Sequence, residues 1–372
     1  MRLSENQVLH FRARRGHLSG AGAASPAAAA QAVVGIQAQV ESAGFWSVAM
    51  RTAGRPSAAE VGHEVLVARR LIRTWAQRDT LHLYAAEDWP LFAAADPLWP
   101  MTGRRGAIPP EHTLEETRRR LGSRVLTRAD VIDLPTPEML GDMAARVGEE
   151  QAARYAAGRF FWRLAHQGEL CLAGNVGQEN GYVLRKHWLP ELDFPIHDAT
   201  EAACELTRRY LAVNGPASAQ DIGHYFGANV TKTKEWLAKL KPELVEVDCN
   251  GRRGLLALAE DAATLELDDT PPPPRLLAAF DTLLMSHADK TWTVPNPAEN
   301  KAVWRASAIV AAVVLAGGRV AAAWTQKKSK KALQVTIEPL AGWEKEYLPQ
   351  LEEDAQALAR HLGLPRAEMA VA

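Results

Sequence analysis

The chain has 372 residues, 47% of them hydrophobic and 23% charged, and a formal net charge of −1. Such a length exceeds one ordinary core and predicts two to four units, and the composition excludes wholesale disorder. The near-neutral balance means that any affinity for nucleic acid must come from local patches rather than from a basic whole. No apolar run reaches the length of a membrane span, and Arg12, Arg14 and Arg15 break up any signal-peptide core. Three scattered cysteines, Cys171, Cys204 and Cys249, suit a reducing cytoplasm and lack the CxxC spacing of a structural zinc, so a cytoplasmic protein without metal or other cofactor is expected. His63-Glu64 begins like HExxH, but Val67 stands where the second histidine would be. "GAGAAS" at 20–25 follows no strand and lacks the third glycine of a dinucleotide loop.

Taken in chain order, residues 1–100 place helical "AAAAQAVVGI", ending near Ile36, and "SAGFWSVAMR", starting at Ser42, before "SAAEVGHEVLVA". The strands "LIRTWA" and "TLHLY" then flank a turn at 77–79. Residues 101–195 repeat the order more weakly. There "LEETRRRL", "TRADVIDL" and the long "AARYAAGRFFWRLAHQG" precede the strands "ELCLAG" and "GYVLRK". Residues 196–268 carry it most clearly: a helix from Ala199, then a helix capped by Ser218 with Asp221 three residues on, then "NVTKTKEWLAKL" with Val230, Leu237 and Leu240 on its inner face. The hairpin "LVEVD", "CNGRRG", "LLALA" closes the unit. Helix, helix-turn-helix and hairpin is the order of a winged helix. Pro271 to Pro274 stiffen a linker. The stretch 275–372 is β-rich, with a strand at 308–316, a hairpin whose tip is "QKKSKK", and an acidic helix at 342–361. The expected fold is α+β: three tandem winged-helix units in a concave array, followed by a β-rich C-terminal domain.

Winged helices commonly place a helix in the major groove of duplex DNA, and Thr231, Lys232, Lys234 and Lys239 lie on the helix in question. The same architecture also serves as a plain scaffold. Lys327, Lys328, Lys330 and Lys331 concentrate positive charge at one hairpin tip, which suits a phosphate backbone; keeping a sheet edge soluble is the alternative. In the first hairpin, Arg73, Trp75 and Gln77 share one face, as do Thr80 and His82. Trp75, Arg78 and His82 are carried as residues lining a site.

Gln37 and Gln39 pose a more specific question. In a helix, positions two apart point away from each other, whereas in an extended or bent segment they address one spot. The bend 37–41 between two helices would let both carboxamides reach one surface. Capping of the helix ends by amides is the bland reading.

"GIQAQVESAGFWSVAMRT", "RTWAQRDTLHLYAAEDW" and "LLMSHADK" at 283–290 together resemble the winged-helix DNA glycosylases typified by AlkZ, the azinomycin B self-resistance type, over nearly the whole chain. The resemblance implies a Gln-x-Gln signature, met here by Gln37 and Gln39, and activity on N7-alkylguanines, including interstrand crosslinks in double-stranded DNA. It implies a monofunctional DNA glycosylase, a monomer, in which two neutral groups suffice. Alkylation at N7 makes the purine a cationic leaving group, so what remains is to place a water. A glutamine carbonyl can accept a proton from that water while its amide holds it. A non-enzymatic winged-helix DNA-binding regulator is the alternative. No lysine occurs before Lys186, so the first unit offers no amine nucleophile of its own.

Overall fold

The computed structural model describes residues 1–99 and 109–372; the expected boundary between the first two units, at 100/101, lies outside the described residues. Helix and sheet are mixed throughout. The first hairpin is preceded by β1 (Arg2–Leu3), α1 (Glu5–Arg15), α2 (Pro26–Ala32), β2 (Ile36–Gln37), α3 (Glu41–Arg51) and α4 (Ala58–Leu66). It consists of β3 (Leu71–Trp75) and β4 (Leu81–Ala85), and α5 (Trp89–Ala95) follows. Ser57 caps α4, with Glu60 reaching back to the Ser57 N–H, and Ser25 with Pro26 starts α2.

One expectation fails at the place that matters most. The apolar run to Ile36 is not helix: α2 ends at Ala32, and Ile36–Gln37 pair antiparallel with β4. Val34 and Gly35 have φ of 58° and 96°, which no α-helix tolerates. Gly35 is obligatory, since a Cβ there would lie 2.4 Å from the Tyr84 ring.

The next stretch contains α6 (Glu111–Leu121), α7 (Pro137–Val147) and α8 (Glu149–His166), then the hairpin β5 (Leu170–Val176) and β6 (Glu179–Leu184), and α9 (Arg185–Trp188). Arg73 pairs with Leu172, so the two hairpins merge into one five-stranded sheet in the order β2-β4-β3-β5-β6. Further on, α10 (Ala199–Asn214), α11 (Ala219–Phe226) and α12 (Val230–Lys239) precede the hairpin β7 (Leu244–Cys249) and β8 (Arg252–Leu258), with α13 (Ala262–Glu266) after it. The Ser218–Asp221 capping box forms as expected. The inner face of α12 is Thr233, Trp236 and Leu237, continued by Leu240, whereas Val230 is 40% exposed because it is the first residue after the Asn229 cap. β1 adds to this hairpin, and Leu3, Val8, Leu9 and Phe11 pack with Val247, Cys249 and Leu255.

The C-terminal stretch holds β9 (Arg275–Leu277), α14 (Thr282–Met285), α15 (Asn300–Val303), β10 (Trp304–Arg305), β11 (Ile309–Val310), β12 (Val313–Ala316), β13 (Arg319–Lys328), β14 (Leu333–Pro339), α16 (Leu348–His361) and β15 (Ala367–Val371). Its main sheet runs β15-β14-β13-β12-β9. The single strand expected at 308–316 is broken, because Ser307 and Ala308 adopt positive φ and the chain re-enters the sheet only at Val313.

Helix α3 is held from two sides. Val48 belongs to the core shared with α10 and α11, while Trp46, Ala49 and Met50 belong to the core of the C-terminal sheet. Arg51 and Asp281, each side chain 1% exposed, form a two-pronged ion pair at 2.8 and 2.9 Å, and Ser47 donates to the same carboxylate at 3.0 Å. Trp46 Nε1 donates to the Leu276 carbonyl. The helix that begins two residues after Gln39 is therefore clamped between the first and last parts of the chain. Among the described residues no helix is long and apolar enough to cross a membrane, and no cluster of metal-ligating side chains occurs.

Candidate active site around the paired glutamines

Backbone pairing places Gln37 opposite His82, and the Ala38 N–H donates to the Leu81 carbonyl at 2.7 Å. The Ala38 carbonyl accepts from Arg73 Nε and Nη2 at 3.2 and 3.0 Å, and Arg73 Nη1 bonds Glu41 at 3.1 Å, tying the bend to the first turn of α3. Gly44 lets α3 lie on the bend, as a Cβ there would stand 2.7 Å from that of Ala38. Gln37 is 5% exposed and Gln39 is exposed. Both side chains reach the tip of the β3–β4 hairpin. Gln37 Oε1 accepts from Arg78 Nη2 at 3.0 Å, and Gln39 Oε1 accepts from the Leu81 N–H at 3.2 Å.

Arg78 and His82 join this cluster. Arg78, with φ of 57°, turns back over the sheet and donates through Nη1 to the Tyr225 carbonyl. Its Nη2 also lies 3.4 Å from His82 Nε2. His82 Nδ1 is 3.0 Å from the Thr80 carbonyl, which can only accept, so Nδ1 carries the proton and Nε2 is free to accept. Burial, helped by the Arg78 charge, pushes the His82 pKa down to about 3 and keeps the ring neutral. Burial also lowers the Arg78 pKa. The structure does not bring Trp75 here. That ring is stacked on Tyr182 at 5.8 Å within the core built by α6, α8, β5 and β6, because that core covers the face of β3 from which Trp75 projects.

The chain's later half supplies residues that sequence reasoning missed. Tyr225 donates its hydroxyl to the carbonyl of Val33 at 2.8 Å, with those of Val34 and Gly35 at 3.2 and 3.4 Å, capping the end of α2 and fixing the approach to Gln37. Its neighbour Gly227, φ 77°, admits the backbone of Arg78, whose N would lie 3.3 Å from a Cβ there. A cavity of about 460 Å³ beside Arg78 is lined by Asp79, Asp96, Trp99, His224 and Ala288, though by neither glutamine. At its edge Lys290 Nζ is 3.2 Å from His224 Nε2. Burial and then the Arg78 charge push the Lys290 pKa down to about 8; burial, Lys290 and Arg78 push that of His224 down to about 4. The "LLMSHADK" segment delivers this lysine. His287 bonds the Asn214 carbonyl, Tyr210 donates to the Ser286 carbonyl, and the Ala288 N–H donates to Asp221.

Lys327, Lys328, Lys330 and Lys331 are all exposed at the β13–β14 tip, whose turn is closed by the Ser329 N–H on the Ala332 carbonyl. On α12, Thr231, Lys234 and Lys239 are exposed, and Lys232 is paired with Glu235.

The chain is 29% identical over 377 residues to the interstrand DNA cross-link repair glycosylase of Streptomyces sahachiroi, with 98% of each chain covered. The solved structure of the Streptomyces sahachiroi DNA glycosylase AlkZ superposes with a TM-score of 0.82 at 26% identity, covering 100% of both chains. The model of the AlkZ-like DNA glycosylases matches residues 30–361, a span from just before the glutamine pair to the end of α16, and the chain belongs to that family.

Proposed function

We propose that this DNA glycosylase hydrolyses the N-glycosidic bond of N7-alkylguanine in duplex DNA and unhooks interstrand crosslinks, with Gln37 and Gln39 as its catalytic residues. The observation that carries the reading is the convergence of two neutral carboxamides, two residues apart on an extended segment, on one hairpin tip. N7 alkylation leaves the purine cationic, so the bond breaks toward a neutral base and an oxocarbenium-like sugar without an acid to protonate the base. The remaining work is to hold a water on the open face of C1′, which is positioning and electrostatics. The water's oxygen bonds to C1′, and its proton passes to solvent past a glutamine oxygen.

A crosslinked guanine cannot be rotated fully out of the duplex, the usual route for glycosylases. The enzyme would instead bring the glutamines to a base still near the stack. The three helix–hairpin repeats act in this reading as winged helices that cradle the duplex, and Lys327, Lys328, Lys330 and Lys331 grip its backbone. The partner is double-stranded DNA and the enzyme acts as a monomer. Name and fold of the Streptomyces relatives support the enzyme over a non-enzymatic regulator.

The test is single-turnover release of free base from an N7-methylguanine duplex, and of unhooked strand from a crosslinked one. Gln37→Ala and Gln39→Ala should each slow release about 10²-fold or more while duplex affinity stays near that of the parent. Unchanged rates in both variants would remove the glutamines from the chemistry.

A further inference from the structure

We propose that Arg78 is a positioning residue for the reaction: it holds the Gln37 carboxamide oxygen-inward, so that Gln37 meets the substrate as an N–H donor. The inference rests on the catalytic reading of Gln37 and Gln39 just given. Guanidinium groups only donate, so the Gln37 atom 3.0 Å from Arg78 Nη2 is its oxygen, and the choice between the two ends of the amide is settled by chemistry. Among the described residues the Gln37 amide nitrogen has no hydrogen-bond partner; it is the end left for substrate.

The way Arg78 is held argues for a purpose. Its partners are neutral acceptors: the Tyr225 carbonyl, Gln37 Oε1 and His82 Nε2. A half-buried cation met, among the described residues, only by neutral groups is costly, and a residue in the left-handed region adds to the cost. Both terminal nitrogens nevertheless have assigned acceptors. Nη1 goes to the third repeat, and the two N–H bonds of Nη2 divide between Gln37 and the unprotonated nitrogen of His82. His82 and Tyr225 aim the guanidinium, and the guanidinium aims Gln37.

The consequence is a division of labour. Electron density drawn toward Arg78 strengthens the Gln37 N–H bonds as donors. A water that accepts from both glutamines has no lone pair left with which to attack C1′, so the two amides cannot both donate to it. Gln37, locked, donates to an acceptor on the departing base or the sugar. Gln39 is exposed and held by one 3.2 Å backbone contact, so its oxygen keeps a lone pair to take the attacking water's hydrogen.

Three variants test this by single-turnover excision and by affinity for the same duplex. Gln37→Glu keeps the shape and gains an ion pair to Arg78, but presents an acceptor where the donor was. It should melt no lower than the parent, bind duplex equally, and lose about 10²–10³ in rate, as for removal of one transition-state donor. Arg78→Met should lower kcat with little change in KM. In a Gln37→Ala background the same Arg78→Met substitution should cost nothing more, since Arg78 acts through Gln37. An active Gln37→Glu variant, or an Arg78 effect of equal size in both backgrounds, overturns the proposal while leaving Gln37 and Gln39 catalytic. A full-rate Gln37→Ala variant instead overturns the catalytic reading itself. Where Arg78→Met fails to fold, Gln37→Glu, which removes no packing, decides alone.

Discussion

Removing the four hairpin lysines should weaken binding to every duplex sequence alike and flatten its salt dependence. The tip of β13–β14 is exposed, with Lys327 paired to Gln334 and Lys328 to Leu333, and Lys330 and Lys331 in the turn. Each lysine that neutralises a phosphate adds ~0.9 to the log–log slope, so four contacts give up to ~3.6. Across a change from 50 to 200 mM salt, that difference corresponds to roughly two orders of magnitude in affinity. Geometry bears on how much of this is realised. Successive strand residues point to opposite faces, so Lys327 and Lys328 diverge. The Lys328 charge adds to burial in lowering the pKa of His361, whose ring lies 5.4 Å from Trp46 and bonds the Pro56 carbonyl. Lys328 shares a face with buried Leu333, and Lys327 shares the opposite face with exposed Gln334. A duplex gripped at the tip takes the turn pair and a lysine from each face, so Lys327→Ala and Lys328→Ala should each flatten the slope by ~0.9. Fluorescence anisotropy on unrelated duplexes over a salt titration measures both. A quadruple alanine variant with an unaltered slope would refute the backbone-gripping role and return the hairpin to guarding a sheet edge.

Arg51→Met should destabilise the protein by about 3–5 kcal/mol in urea denaturation, because the Asp281 carboxylate would remain buried without its cation. Gly35→Ala should cost excision as well as stability, since the new methyl meets Tyr84 and the backbone resists φ of 96°, displacing Gln37. Stability should also fall in mild acid. His82 stays neutral when folded, with its pKa down at about 3, whereas the unfolded ring takes a proton below about 6.5. The full contribution is present above that pH and is lost toward 3 at up to ~1.4 kcal/mol per pH unit. His82→Asn should flatten this part of a stability–pH profile, and an unchanged profile would mean that His82 titrates normally.

Much of the fold could be read from the chain because its signals were local. Ser218 with Asp221, Asn250-Gly251 between two apolar runs, and the helical periodicity of the 16 residues Ala199–Asn214 needed no partner elsewhere. The end of α2 did. "AVVGI" has helical spacing, and what stops the helix is Tyr84 against Gly35 and the Tyr225 hydroxyl on three carbonyls, contacts made about 50 and 190 residues away. The stretch of the site around Gln37 and Gln39 was visible as an odd pair of amides, whereas its support was not. β3 and β4 are buried along their whole length, so alternation could not tell which face holds the site, and it offered Trp75 on equal terms with Arg78. The role of Arg78 depends on Tyr225, and no spacing relates position 78 to position 225.

The fold also changes the argument about the nucleophile. Excision by an amine would leave a Schiff base and a cut strand, and the sequence places no lysine before Lys186. Tertiary structure brings one up nevertheless: Lys290, its pKa lowered to about 8, sits within reach of the Arg78 charge. Such a value suits an activated amine. Its bonds do not. Nζ donates to the His287 carbonyl at 2.7 Å and to the Leu284 carbonyl at 3.4 Å, contacts His224 Nε2 at 3.2 Å, and lies 5.0 Å from the centre of the Trp304 ring. Here the ammonium is a rivet closing the 284–290 segment onto α11, and to attack C1′ it would have to leave all of these partners. Under the proposed mechanism water remains the nucleophile and the product is an intact abasic strand. Borohydride added during turnover should trap no protein–DNA adduct, and alkali or heat should be needed to break the strand. Lys290→Met should lower the melting temperature without changing the products. An adduct trapped by the parent protein and lost in Lys290→Met would overturn the water mechanism and transfer the nucleophile's role to that lysine.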